Sequence, residues 1–286
     1  MSTERPKIRE LTIEALHRLF ADEALPLAGN IAFRTLFSIF PFLIFLTALA
    51  GFFGNEALAE KVVTFLLSVA PEQLVHPLAS EIHSILTIPR TGLLSLSAIL
   101  TIWSAMAGID SVRVGLNRAY DLKENRNLFW LYGLSILFVI GSAIGLLIIA
   151  ILIVFAPVAL AAIDHFAPGS RENFTTLNAM RFPIAIVLMT GGLLLCHCLL
   201  PAKRLRILDV LPGVVFTVVV SIGLSVAFSV YLVNFNSFAS TYASLSGLFA
   251  AMFFLYLSAV VLIFGGEVNR VLQLHKTLRK LVEPDK

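Results

Sequence analysis

Six polar residues stand out in an otherwise apolar chain: Arg34, Asp110, Arg113, Asn117, Glu267 and Asn269. Asp110, Arg113 and Asn117 are three and four residues apart, which puts them on one face if a helix runs through them, and Glu267 with Arg270 repeats the spacing. Arginines held in place by carboxylates suit an anionic or zwitterionic head group, which a guanidinium grips through paired N–H donors. A polar vestibule with Arg34 and Arg113 as receptors and Asp110 and Glu267 as their supports is one reading. In the other, Arg34 snorkels to the membrane surface and the acids neutralise arginines at helix ends. Asp209, at the start of a later apolar block, belongs to the same set of costly charges.

Catalytic chemistry finds little purchase. Cys196, His197 and Cys198 invite a metal site, but consecutive helical residues point about 100° apart and cannot converge on one ion. A packed, neutral His197 is the expectation, and two cysteines inside one apolar block make no disulfide framework. The six histidines, at 17, 76, 83, 165, 197 and 275, fall in no ligand motif. A hydrolytic nuclease needs clustered carboxylates or histidines for its metals and a basic groove for phosphates, and neither is evident. Without a phosphate-binding loop, a serine elbow or a zinc motif, the chain is read as a non-enzyme with no catalytic residue, metal or cofactor.

The elements that must position these residues are membrane helices. Of the 286 residues, 58% are hydrophobic and 14% charged, too apolar for one water-soluble core. At roughly 20 residues per crossing, spans fall at approximately 31–54, 91–110, 129–156, 181–200, 208–233 and 246–268. None alternates with period two, so they are helices rather than barrel strands. The apolar run from Phe129 to Ile163 is read as one long helix with a kink at Pro157. The apparent cleavage motif Ala48-Leu-Ala-Gly51 follows a long acidic leader and an arginine inside the apolar run, so the first span is expected to stay.

Most of the 21 lysines and arginines collect before the first span, in the second and fourth gaps and in the tail; the other gaps hold few or none. Basic loops remain in the cytoplasm, so both termini are expected there. The net charge of +3 then reflects contact with anionic lipid, not nucleic acid. Leu11, Ala15, Leu16, Leu19 and Phe20 recur at helical spacing and suggest a helix on the inner membrane surface. Two further stripes, Leu58 to Val69 and Leu74 to Ile85, predict a helical hairpin outside the membrane, as a lid or a moving gate. The organisation is therefore an interfacial helix at 1–30, a six-helix domain at 31–270 with the hairpin at 55–90, and a basic tail at 271–286. Gly213, Thr217, Ser221, Ser225 and Ser229 form a small-residue ridge suited to helix packing, and Gly141 with Gly145 is expected to pack internally too.

Three stretches carry a family likeness: Gly29-Asn-Ile-Ala-Phe-Arg-Thr-Leu-Phe-Ser-Ile-Phe-Pro41; Trp103-Ser-Ala-Met-Ala-Gly-Ile-Asp110 leading to Leu116-Asn-Arg-Ala-Tyr120; and Tyr242-Ala-Ser-Leu-Ser-Gly247 with Phe264-Gly-Gly-Glu-Val-Asn269. Together they resemble the YihY/BrkB family of bacterial inner-membrane proteins, in order and over nearly the whole chain. The likeness rests on Ser38, Pro41, Trp103, Ser104, Asn117, Tyr120, Tyr242, Gly247, Gly265, Glu267 and Asn269. Arg34 stands where the family often has tyrosine, Tyr242-Ala-Ser replaces a common Tyr-Gly-Ser, and Gly265-Gly-Glu267 replaces Gly-Ala-Glu. Names attached to the family include serum-resistance factor, ribonuclease BN and lipid or solute exporter. The expectation is an all-α, six-span inner-membrane protein that moves an amphiphilic, lipid-like anionic substrate and has membrane lipids as partners. The alternative is a non-transporting scaffold whose polar residues lock helices together.

Overall fold

In lipid the backbone has no water to bond, so each long apolar run must close its own N–H and C=O groups, which a helix does. The computed structural model describes residues 8–53, 91–152, 171–235 and 243–282, and every regular element among them is helical. The helices are α1 (Ile8–Ala21), α2 (Ala24–Phe53), α3 (Thr91–Ala119), α4 (Leu128–Ala150), α5 (Arg171–Leu199), α6 (Ile207–Phe235) and α7 (Ala243–Val282). α2 to α7 are long and apolar enough to cross a membrane, which makes the chain a multi-pass membrane protein. The expected hairpin at 55–90, Pro157 and Tyr242 lie outside the described residues.

Four helices outrun the spans expected from hydropathy. α2 begins at Ala24 rather than near residue 31, α3 continues past Asp110 to Ala119, α5 begins at Arg171 rather than near residue 181, and α7 runs to Val282. Hydropathy marks only the part of a helix that lipid requires; beyond it a helix can continue through polar residues, which at the end of α7 stay exposed. At 40 residues α7 is roughly 60 Å long, about twice the hydrocarbon thickness, so its basic end clears the apolar layer. α2 continues through Pro41.

The chain divides into two compact units, one of Met1–Phe33 with Ile109–Lys286 and the other of Arg34–Gly108. In the first, α7 packs on α6 and α1, α5 packs on α6, and α4 on α5. One core joins Leu19 of α1, Ala24, Ala28 and Ile31 of α2, Ala119 of α3, and Ala259 and Ile263 of α7. Small residues four apart on α2 leave the room these crossings need. A second core gathers Leu116, Tyr120, Cys198, Leu200 and Val210, with Leu122, Leu134 and Leu205 against it. Of the stripe expected to face the membrane surface, Ala15 and Leu19 are buried, while Leu16 and Phe20 stay exposed with Ile13. α1 therefore lays one face on α7 and leaves another open.

Glycine sets the α6–α7 crossing. A methyl group at Gly213 would meet the Gly265 carbonyl oxygen and stand 2.6 Å from Cγ of Asn269, and one at Gly265 would stand 2.8 Å from the Gly213 carbonyl oxygen. The rest of the ridge divides: Thr217 is buried, while Ser225 and Ser229 are exposed. Among the described residues nothing packs on Gly141 or Gly145: no atom lies within 4 Å of where a methyl group at either would stand.

The second unit contains Arg34, Ser38, Pro41, Trp103 and Ser104. Arg34 Nη1 donates to the Ala107 carbonyl at 3.3 Å, and Ser38 Oγ donates back to Thr35 at 2.7 Å. Ser104 is buried, whereas Trp103 is exposed.

Candidate functional site

α3 ends in a left-handed turn. Asp121 has φ 55, its N–H bonds the Arg118 carbonyl at 3.0 Å, and Leu122 N–H reaches back to the Asn117 carbonyl at 2.8 Å. This is the Schellman pattern, usually closed by glycine, and Leu122 packs against the core that contains Leu116, as often accompanies the motif. The turn aims the loop 121–127 at the end of α5. Asn127 then starts α4, its Oδ1 accepting the Phe129 N–H at 3.2 Å.

Glu124 is the hub of this loop. Its Oε2 accepts from Arg113 Nη1 at 2.7 Å, from Asn117 Nδ2 at 3.3 Å and from Arg126 Nη2 at 2.8 Å. Its Oε1 accepts from Arg126 Nε at 2.9 Å. Arg126, then Arg113, hold the Glu124 carboxyl well below the usual carboxylate range against the opposing effect of partial burial. Arg113 also binds Asp110, with Nε at 3.0 Å from Oδ1. Arg126 Nη2 donates to the Leu200 carbonyl at 2.6 Å, and Asn117 Oδ1 accepts the Ala202 N–H at 2.6 Å. Two loops are thus stapled together, with a cation over the negative end of α5. Asp110, Arg113 and Asn117 do share one face of α3, and all three are engaged internally.

Next to the staple runs a buried chain of hydrogen bonds. Gly213 N–H donates to Asn269 Oδ1 at 2.6 Å; since an amide nitrogen can only donate here, the Asn269 amide orientation is fixed. Asn269 Nδ2 then donates to the Tyr120 hydroxyl at 2.9 Å. Tyr120 in turn lies 2.8 Å from His197 Nδ1, the acceptor left for its proton. Burial raises the Tyr120 phenol well above its ordinary range, so it remains a neutral donor. This polarity places the imidazole proton on Nε2, and Nε2 is buried with no partner among the described residues. His197 is packed as expected, but its place in a hydrogen-bonded chain was not read from sequence. An intramembrane polar residue always needs a partner, and that was the available signal.

Glu267 does not pair with Arg270. Its Oε2 accepts from Arg18 Nε of α1 at 3.2 Å, while Arg270 reaches Asp121 at 3.5 Å. The i, i+3 spacing allows such a pair but does not compel it, and here α1 and the α3 turn offer closer partners. Glu267 is fully buried, and its Oε1 and the Arg270 Nε have no partner among the described residues. Asp209, at the positive start of α6, pairs with Lys276 at 2.8 Å. No group of three or more His, Cys, Asp or Glu residues able to hold a metal occurs among the described residues.

Comparison with known proteins agrees with this architecture. A family model described as virulence factor BrkB matches residues 15–286. The ribonuclease-like protein YfkH of Bacillus subtilis (strain 168) is 30% identical over 268 residues, which are 93% of this chain and 96% of that one. A UPF0761 membrane protein of Tolumonas auensis is 22% identical, covering 92% and 86% of the two chains. Another, from Pseudoalteromonas translucida, is 23% identical over 90% and 84%. No solved structure matches this chain. With its six long apolar helices and a family match running from α1 through the last residue, the chain belongs to the BrkB family of integral membrane proteins.

Proposed function

We propose that this protein moves an amphiphilic, anionic, lipid-like molecule across the bacterial inner membrane, with both termini in the cytoplasm and no catalytic step of its own. One observation carries this reading: beside the hydrogen-bonded network of Glu124 and Asn269, His197 Nε2, Glu267 Oε1 and Arg270 Nε are buried with no partner among the described residues. An unsatisfied polar group in a water-free interior costs several kcal/mol. Ordered water or a polar substrate removes that cost, and in the transport reading the substrate's head group does so. Arg34, a cation inside a membrane-crossing helix, is the head-group residue in this reading. The sidedness rests on the distribution of lysine and arginine.

The saturation of Arg113 by Asp110 and Glu124 favours a second reading, a membrane scaffold whose charges only lock helices. The ribonuclease-like name of the Bacillus relative supplies no nuclease residues here, so a non-enzyme remains the proposal. Purified protein in vesicles with a fluorescent short-chain phosphatidylglycerol separates transporter from scaffold. If the lipid crosses, an impermeant reductant quenches label beyond the outer leaflet's share, and Arg34→Ala slows that loss at unchanged protein content. Quenching equal to that of protein-free vesicles rejects transport of this lipid class and favours the scaffold.

A further inference from the structure

We propose that Glu267 is a proton-binding site that controls how α1 is held on the bundle. The carboxylate lies within the apolar stretch Gly247–Leu278 of α7 and is 0% exposed. Its two oxygens differ. Oε2 is taken by Arg18 at 3.2 Å, whereas Oε1 is buried with no partner among the described residues. A metal cation would need several oxygen ligands, and no cluster of acidic, histidine or cysteine side chains stands ready among the described residues. A proton needs one lone pair, and Oε1 has it.

The groups around Glu267 make its charge consequential. From α1 and the turn after it come Arg18 and Asp22, which lie 3.7 Å apart. From α3 comes Tyr120, a neutral donor held by Asn269. From α7 comes Arg270, committed to Asp121. α6 brings Gly213 and Thr217, neither of which titrates, against the neighbouring Gly265. With Glu267 ionised, Arg18 bridges α1 to α7. When a proton from water binds the carboxylate, the charge is cancelled, Arg18 keeps only Asp22 from its own turn, and α1 loses that tie to α7. What then holds α1 includes the packing of Leu19 in the core with Ala259 and Ile263, the Glu14–His275 contact at 2.8 Å, and Arg118 of α3, whose Nε lies 3.3 Å from the Asp22 carbonyl and 3.7 Å from its Oδ1.

The inference goes beyond the transport reading and is measured without it. Spin labels at Leu16 and Leu278, both exposed, are placed on the full chain in nanodiscs, with Cys196 and Cys198 replaced by alanine. Moving from mildly alkaline to mildly acid buffer should shift the interlabel distances toward a longer, broader distribution. E267Q should hold the acid distribution at every pH, and H275Q should keep the wild-type response. Infrared difference spectra should show a carboxylic-acid carbonyl band on acidification that E267Q lacks. R18A removes the partner and spares the carboxylate, so it should give the released distribution even in alkaline buffer and serves if E267Q does not purify folded. A wild-type distribution indifferent to pH, a pH response surviving in E267Q, or R18A keeping the alkaline wild-type distance would each overturn the proposal.

Discussion

Tyr120 is the residue on which the buried chain turns, because its single oxygen both accepts from Asn269 and donates to His197. Tyr120→Phe keeps the ring in the core but leaves a carboxamide donor and an imidazole nitrogen unpaired, which should cost about 1–3 kcal/mol. His197→Phe should also lower the melting temperature, and the double variant should lose less than the sum, since both break the same contact; strict additivity in detergent melting curves would argue against the chain. Glu124 gives a second test. Its depressed carboxyl contributes stability that is fully present above the ordinary carboxylate value of about 4.3 and is lost as pH falls through the folded value. Glu124→Gln should therefore melt lower than wild type across the neutral range, with the gap closing only in strong acid. A gap that closes near neutrality would mean that Arg113 and Arg126 do not hold the charge.

Helices are where the sequence was most legible, and their ends where it was least. Hydropathy placed all six apolar helices because lipid demands the same apolar length everywhere, yet α3 and α7 continue well past the spans expected near 91–110 and 246–268. Asp110 and Arg113 were readable as a pair from their spacing alone. Arg18 and Glu267, 249 residues apart, and Tyr120 and Asn269, 149 apart, were not, since only the packed bundle brings them together. Glu124 and Arg126 lay in a short polar loop that no motif marked. The crossing of α6 on α7 yields a prediction at this scale: Gly213→Ala drives a methyl into the Gly265 carbonyl, a backbone atom that cannot swing aside. Overpacking of this kind costs typically 1–3 kcal/mol, so membrane abundance and melting temperature should both fall. Gly141→Ala, on which nothing among the described residues packs, should change neither.

For the whole molecule, the proposal puts the stapled end, the basic loops and α1 on the cytoplasmic face of the membrane. The claim rests on lysine and arginine collecting in alternate gaps, a bias that sets orientation during insertion. If it holds, the buried carboxylate of Glu267 and the Arg113–Glu124–Arg126 staple meet the cytoplasm, and the segments around residues 70 and 240 meet the other side. Reporter fusions made after Ala70, Leu122, Ser240 and the C-terminal Lys286 measure this directly. Extracytoplasmic signals are expected at Ala70 and Ser240 and cytoplasmic signals at Leu122 and Lys286; a cytoplasmic signal at Ala70, or an extracytoplasmic one at Leu122, would overturn this orientation.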